Sequence, residues 1–146
     1  MTCFSPLPRS GLVRNLQVGS IVPSFMMHLF VSGEPHGVKS GSGKSAVHDW
    51  QGIVREKTAG EKRMAGPCKV RIDFVLPNRS YDNNNKKTLY GPDIDNLAAA
   101  VLDALEAHVL PELAGDGAIM ELMVTKRKAR EGEDSGALIT VMDLGP

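Results

Sequence analysis

The chain has 146 residues, 42% hydrophobic and 23% charged, with 17 Lys and Arg against 17 Asp and Glu. That is the length of one domain with enough apolar residues for a core, and the zero formal charge excludes a uniformly basic surface, so any nucleic-acid contact must come from local patches. Two cysteines, Cys3 and Cys68, are too few for a disulfide framework and lack metal-ligand spacing; no apolar run reaches membrane-spanning length, and the expected setting is the reducing cytoplasm.

Residues 1–23 mix Pro, Gly, Ser and Arg with isolated apolar residues and are expected to form a poorly ordered leader, leaving 24–146 as the folded domain. Arg9 and Arg14 are not followed by a continuous apolar segment, so no signal peptide is expected. A first strand is predicted over Phe25–Val31, and a domain that opens on its first strand would suit Met26 or Met27 as the true start. Ser32 to Ser45 is a turn-rich loop ending in Gly-Ser-Gly-Lys-Ser. A phosphate-binding P-loop would need a glycine five residues before Gly43, where Val38 stands, and a second apolar strand ending in a metal-binding Asp. No nucleotide cofactor is expected; Lys39 and Lys44 are instead free to touch phosphates from a basic loop. A helix follows from about Ala46 to Lys57, with Val47, Trp50, Ile53 and Val54 on one face and Trp50 in the core.

A charged connector, 58–67, precedes a cleanly alternating stretch. Cys68, Val70, Ile72, Phe74 and Leu76 fall on one face and Lys69, Arg71 and Asp73 on the other, which predicts a half-buried strand. Pro77 ends it. Residues 78–90, with Asn83-Asn84-Asn85-Lys86-Lys87 at their centre, form a polar loop of the length that is usually functional or disordered. Gly91-Pro92-Asp93-Ile94-Asp95-Asn96-Leu97 then heads a second helix, whose stripe is Ile94, Leu97, Ala98, Val101, Leu102 and Leu105. By themselves Asp93 and Asp95 read as helix-start residues, favoured there by capping and by the helix dipole. A tight turn over Ala114–Ala118 leads into a strand over Ile119–Thr125, running out into Lys126-Arg127-Lys128-Ala129-Arg130; a turn through Glu131–Gly136 leads to a last strand, Ala137–Met142. Two main helices and a small mixed sheet, with no internal repeat, predict an α+β domain.

Asp93, Asp95 and Asp116 form the set of oxygen donors that a hard octahedral cation such as Mg²⁺ requires. A helix of about fourteen residues and a short turn are long enough to bring Asp116 back along the same sheet. The basic cluster Lys126, Arg127, Lys128 and Arg130 reads either as phosphate contacts or as a solvated strand end balanced by Glu131, Glu133 and Asp134. His28, His36, His48 and His108 form no pair at metal spacing and take no role.

The order and spacing of these pieces resemble the RusA-type Holliday junction resolvases, endonucleases common in phages and prophages. Pro67-Cys68-Lys69-Val70-Arg71-Ile72 to Pro77 is similar to the family's second strand. Gly91 to Leu97 is similar to its Asp-x-Asp-Asn-Leu signature, Val101 to Leu105 to the helix that follows, Gly115-Asp116-Gly117-Ala118-Ile119 to its acidic turn, and Leu138 to Gly145 to its closing strand. The resemblance covers Met26 to Gly145. It implies a homodimer that binds four-way DNA junctions and cuts two strands symmetrically in recombination and repair, using Mg²⁺ or Mn²⁺ held by Asp93, Asp95 and Asp116. Lys39, Lys44, Lys86, Lys87, Lys126, Arg127, Lys128 and Arg130 would touch the DNA. Two departures stand out. Ala99 occupies the place, one helical turn after Asp95, where the family usually has a lysine, and Gly115 stands where it often has another aspartate. Another cation, from Lys86, Lys87, Lys126 or Lys128, would then take the lysine's role, or cleavage would be weak; the alternative function is a junction-binding protein of the same fold. Asp103, two turns beyond Asp95, reads either as a group that supports the metal ligands or, by preference, as a solvated helix residue.

Overall fold

A computed structural model of the chain describes residues 25–38 and 44–145. The expected leader, Cys3, Lys39 and the Gly41-Ser42-Gly43 stretch lie outside these residues. The elements follow in the expected order: β1 (Met26–Ser32), α1 (Lys44–Thr58), β2 (Cys68–Leu76), α2 (Ile94–Leu105), β3 (Ile119–Lys128) and β4 (Gly136–Asp143), with short 3-10 turns at Asn78–Ser80 and Gly115–Ala118. The four strands form one mixed sheet in the order β1-β4-β2-β3. β4 runs antiparallel to both β1 and β2, whereas β3 runs parallel to β2 through the α2 crossover. This is the expected α+β architecture.

Strand alternation divides the sheet into a covered and an open face. Met27, Val31, Val70, Ile72, Phe74, Ile139 and Val141 are buried in the same core as Val47, Trp50 and Val54 of α1 and Leu97, Val101 and Leu105 of α2. Each large side chain buried in this way contributes about 1.5–3 kcal/mol relative to exposure. The open face is mixed, with His28, Lys69, Arg71, Asp73 and Thr140 among the exposed Met26, Phe30, Met123 and Met142. On it Asp73 accepts from Thr125 Oγ1 at 2.6 Å and from Arg71 Nε at 3.0 Å. Partial burial pushes the Asp73 carboxyl up, but these hydrogen bonds and the Arg71 charge together outweigh burial and hold it below its ordinary value.

The small side chains of α2 bring the two helices close: Ala98, Ala100 and Ala104 are buried, and Gln51 Nε2 of α1 donates to the Ala100 carbonyl at 3.0 Å. Beyond the end of α2, Arg63 Nη1 donates to the carbonyls of Glu106 (3.2 Å) and Leu110 (2.6 Å). A cation there satisfies orphan carbonyls and opposes the negative end of the helix dipole.

Several expectations need correction. Helix α1 starts at Lys44, two residues early, and Ile53 and Ile94, expected inside, are each more than a third exposed. β3 continues to Lys128, so Lys126, Arg127 and Lys128 of the basic cluster are strand. As an edge strand it exposes Met120 (61%), Leu122 (44%) and Met123 (49%), although alternation predicts an apolar face turned inward. The polar loop 78–90 is a series of turns: Asn84 N–H donates to Asp82 Oδ1 and Lys87 N–H to Asn85 Oδ1, both at 2.9 Å, and Asp82 N–H closes the loop on the Thr88 carbonyl. Asn and Asp hold such turns with their own side chains.

Candidate functional site

The chain enters α2 through a constrained turn. Gly91 has φ +83°, and a Cβ there would lie 2.9 Å from the Tyr81 ring, so both backbone and packing demand glycine. Asp93 follows Pro92 at the N-cap with extended backbone, and its carbonyl accepts the Leu97 N–H at 3.1 Å, but its side chain makes no capping bond. Asp95 lies in the first turn. Both residues are exposed at the positive end of the helix, and neither carboxylate has a hydrogen bond or ion pair among the described residues.

The loop after β1 is pressed onto this helix start. Val38 N–H donates to the Asn96 carbonyl at 3.2 Å, and a Cβ on Gly37 would lie only 2.8 Å from the Asn96 Cβ. Between this loop and residues 79–88 runs a groove of about 1040 Å³ whose lining includes Glu34, His36, Arg79, Lys86, Lys87 and Asp93. Glu34 ties two of its walls together: Oε1 accepts from Arg79 Nε at 3.0 Å, and Oε2 lies 3.6 Å from His36 Nε2. Nothing in the sequence pattern marks Arg79 or Glu34 as site residues, and His36 carries no expected role. The pair is 45 residues apart in the chain, and nothing in either local pattern marks the contact.

The basic cluster divides by strand alternation. Lys126 Nζ donates to the carbonyls of Tyr90 and Pro92, each at 2.7 Å, and Lys128 Nζ lies 4.8 Å above the Tyr81 ring. Arg127 points the other way and forms a two-pronged pair with Glu133, Nη1–Oε1 at 2.7 Å and Nη2–Oε2 at 2.6 Å. That pair and the Arg130 N–H, which donates to Glu133 Oε1 at 2.8 Å, pull the Glu133 carboxyl down to about 2. Part of the cluster is thus balanced by Glu133, as the solvated reading expects. Lys86, Lys87 and Arg130 are exposed, as is Lys44 at the head of α1.

Asp116 sits elsewhere. It is exposed on the 3-10 turn before β3, and its N–H donates to Glu106 Oε2 at 3.4 Å, beside the C-terminal end of α2. The helix has 12 residues, which puts Asp116 on the order of 18 Å from Asp93 and Asp95. Among the described residues no three His, Cys, Asp or Glu side chains are grouped to hold a metal ion. The reason is topological. The α2 crossover carries the chain back to the end of the sheet where parallel β3 must begin, so the returning turn faces the far end rather than the helix start. Ala99 is half-buried on α2, and Asp103 is exposed without a partner among the described residues.

No helix among the described residues is long and apolar enough to cross a membrane. A family model described as endodeoxyribonuclease RusA matches residues 32–142. No individual curated protein matches the chain.

Proposed function

The chain belongs to the RusA endodeoxyribonuclease family, whose members act on branched DNA junctions, and from that premise we propose a homodimeric, divalent-metal-dependent endonuclease that resolves four-way junctions by paired, symmetric incisions. The observation that carries the proposal is the head of α2, where Asp93 and Asp95 present two exposed carboxylates, without partners among the described residues, beside a groove bearing Arg79, Lys86 and Lys87. Such a donor set fits Mg²⁺ or Mn²⁺, since Mg²⁺ usually takes one or two carboxylates together with waters and substrate phosphate. When bound, the ion would offset charge at the scissile phosphate and lower the pKa of an attacking water. Asp93 and Asp95 would hold it, while the groove's cations, with Arg130, Lys128, Lys39 and Lys44, would hold backbone phosphates.

The dimer gives Asp116 its place in this reading. Among the described residues β3 is an edge strand with Met120, Leu122 and Met123 exposed, and exposed apolar edge strands invite pairing with another chain. Antiparallel pairing of two β3 edges about a two-fold axis would carry Asp116 of the partner subunit toward the end of the sheet where Asp93 and Asp95 lie. Each metal site would then draw on both chains.

The test is cleavage of a synthetic four-way junction in Mg²⁺. Wild type should cut, and Asp95→Asn should bind the junction without cutting it. Mixing Asp95→Asn with Asp116→Asn subunits should restore nicking of one strand, because a composite site leaves one of the two sites in each heterodimer intact. Failure of the mixture to nick would reject the shared site. A wild type that binds yet never cuts in Mg²⁺ or Mn²⁺ would favour the junction-binding alternative, which Ala99 keeps in view.

A further inference from the structure

Lys126 was expected among the DNA contacts, yet its ammonium is already engaged within the chain. Thr125 reaches Asp73 on the open face of the sheet, so the next residue along β3 points to the opposite, helix-covered face. There two of its three N–H donors are taken by the carbonyls of Tyr90 and Pro92. These carbonyls flank Gly91 and lead directly into Asp93. Standard peptide dimensions put the Pro92 oxygen about 2.8 Å from the Asp93 Cα. With the 2.7 Å contact to Nζ, the ammonium stands within about 5.5 Å of that Cα.

The charge of a lysine on an exposed loop is screened by solvent and its side chain is free to move, as for the exposed Lys86 and Lys87. Lys126 instead comes from a strand whose register against β2 is fixed, Phe74 opposite Lys126. Its charge is therefore pre-positioned, and one N–H remains for a phosphate oxygen. Phosphodiester cleavage builds negative charge on the phosphate, and a fixed cation is most effective when it need not reorganise as that charge develops. We infer that Lys126 is the fixed cation of the site at the head of α2, stabilising the charge that builds on the scissile phosphate while holding the Tyr90–Pro92 turn that orients Asp93. The inference rests on the nuclease reading above and assigns the role that Ala99 leaves open.

A lysine whose role were only to brace the turn could not be replaced by a charge placed elsewhere, and that distinction sets the experiment. Junction cleavage by wild type is measured first; its absence rejects the nuclease reading and this inference with it. Given active wild type, Lys126→Met should lower kcat by about 10–100-fold. Junction affinity, measured with EDTA, should stay within about threefold, since a single phosphate contact is a small part of the electrostatic total. Ala99→Lys introduces an ammonium one turn after Asp95 on the same helix face, and in the Lys126→Met background it should restore at least about tenfold of the lost rate. Lys126→Arg, which keeps the charge, should stay closer to wild type than Lys126→Met. Full activity in Lys126→Met, a loss confined to affinity, or a double variant no faster than Lys126→Met would each overturn the inference. If Lys126→Met does not fold, Lys126→Gln, which keeps a donor for one carbonyl without the charge, is read against the same expectations.

Discussion

Asp93 occupies the N-cap of α2 without capping it. An Asp at this position ordinarily accepts from the second or third helical N–H, and its loss costs about 0.5–2 kcal/mol. Here the carboxylate forgoes that bond and stays exposed, which is what a ligand-binding group needs and a purely structural one does not. Asp93→Ala should therefore change stability by less than about 0.5 kcal/mol, readable as a nearly unmoved denaturation midpoint, while abolishing junction cleavage. A drop of the full N-cap size would return Asp93 to the ordinary capping role. Arg63 makes the opposite case. Its guanidinium donates to carbonyls at the far end of the same helix, and Arg63→Ala should cost about 1–3 kcal/mol by leaving them unpaired, seen as a lowered Tm.

At the scale of the element, the β3–β4 turn carries a pH dependence whose sign is fixed. The Glu133 carboxyl is pulled from 4.5 to about 2 by Arg127 and the Arg130 N–H. A carboxyl depressed in the fold supports it fully above its ordinary value and loses that support as pH falls through the depressed one. Amide exchange in the turn should quicken as pH falls from about 4.5 toward about 2 beyond its intrinsic pH dependence, and Glu133→Gln should remove the excess. The elements themselves were legible because each has one dominant local cause: alternation in β2, a 3.6-residue stripe in α2, a Pro stop at Pro77. The edge position of β3 was not, since the same alternation serves a central strand and an edge one. The groove was hidden for a related reason, because the Glu34–Arg79 pair depends on how β1 and β2 are arranged rather than on either segment. The head of α2 was legible in outline; chain length only permits its two aspartates to meet Asp116, and their grouping is what the family resemblance implies, while the direction of the crossover places Asp116 by the other end of α2.

At the scale of the molecule, the β3 edge exposes Met120, Leu122 and Met123 and has no second neighbour among the described residues, the kind of edge that invites pairing with another chain. Met123→Lys places a charge in the middle of that edge and should shift the protein toward monomer in sedimentation equilibrium, with junction cleavage falling alongside dimer content. A monomeric Met123→Lys variant that still cuts both strands would remove the β3 edge from the proposed assembly. The same substitution should leave the fold intact, because Met123 is half exposed and lies outside the core.

The length of α2 has a kinetic consequence under that reading. A helix that keeps Asp116 on the order of 18 Å from Asp93 leaves each chain, by itself, with an incomplete set of carboxylates. Below the dissociation constant of the dimer, initial cleavage rate should rise with the square of protein concentration, becoming linear only once most chains are paired. The spacing would then act as a threshold: a few stray copies leave DNA uncut, and incision begins only where the protein has accumulated.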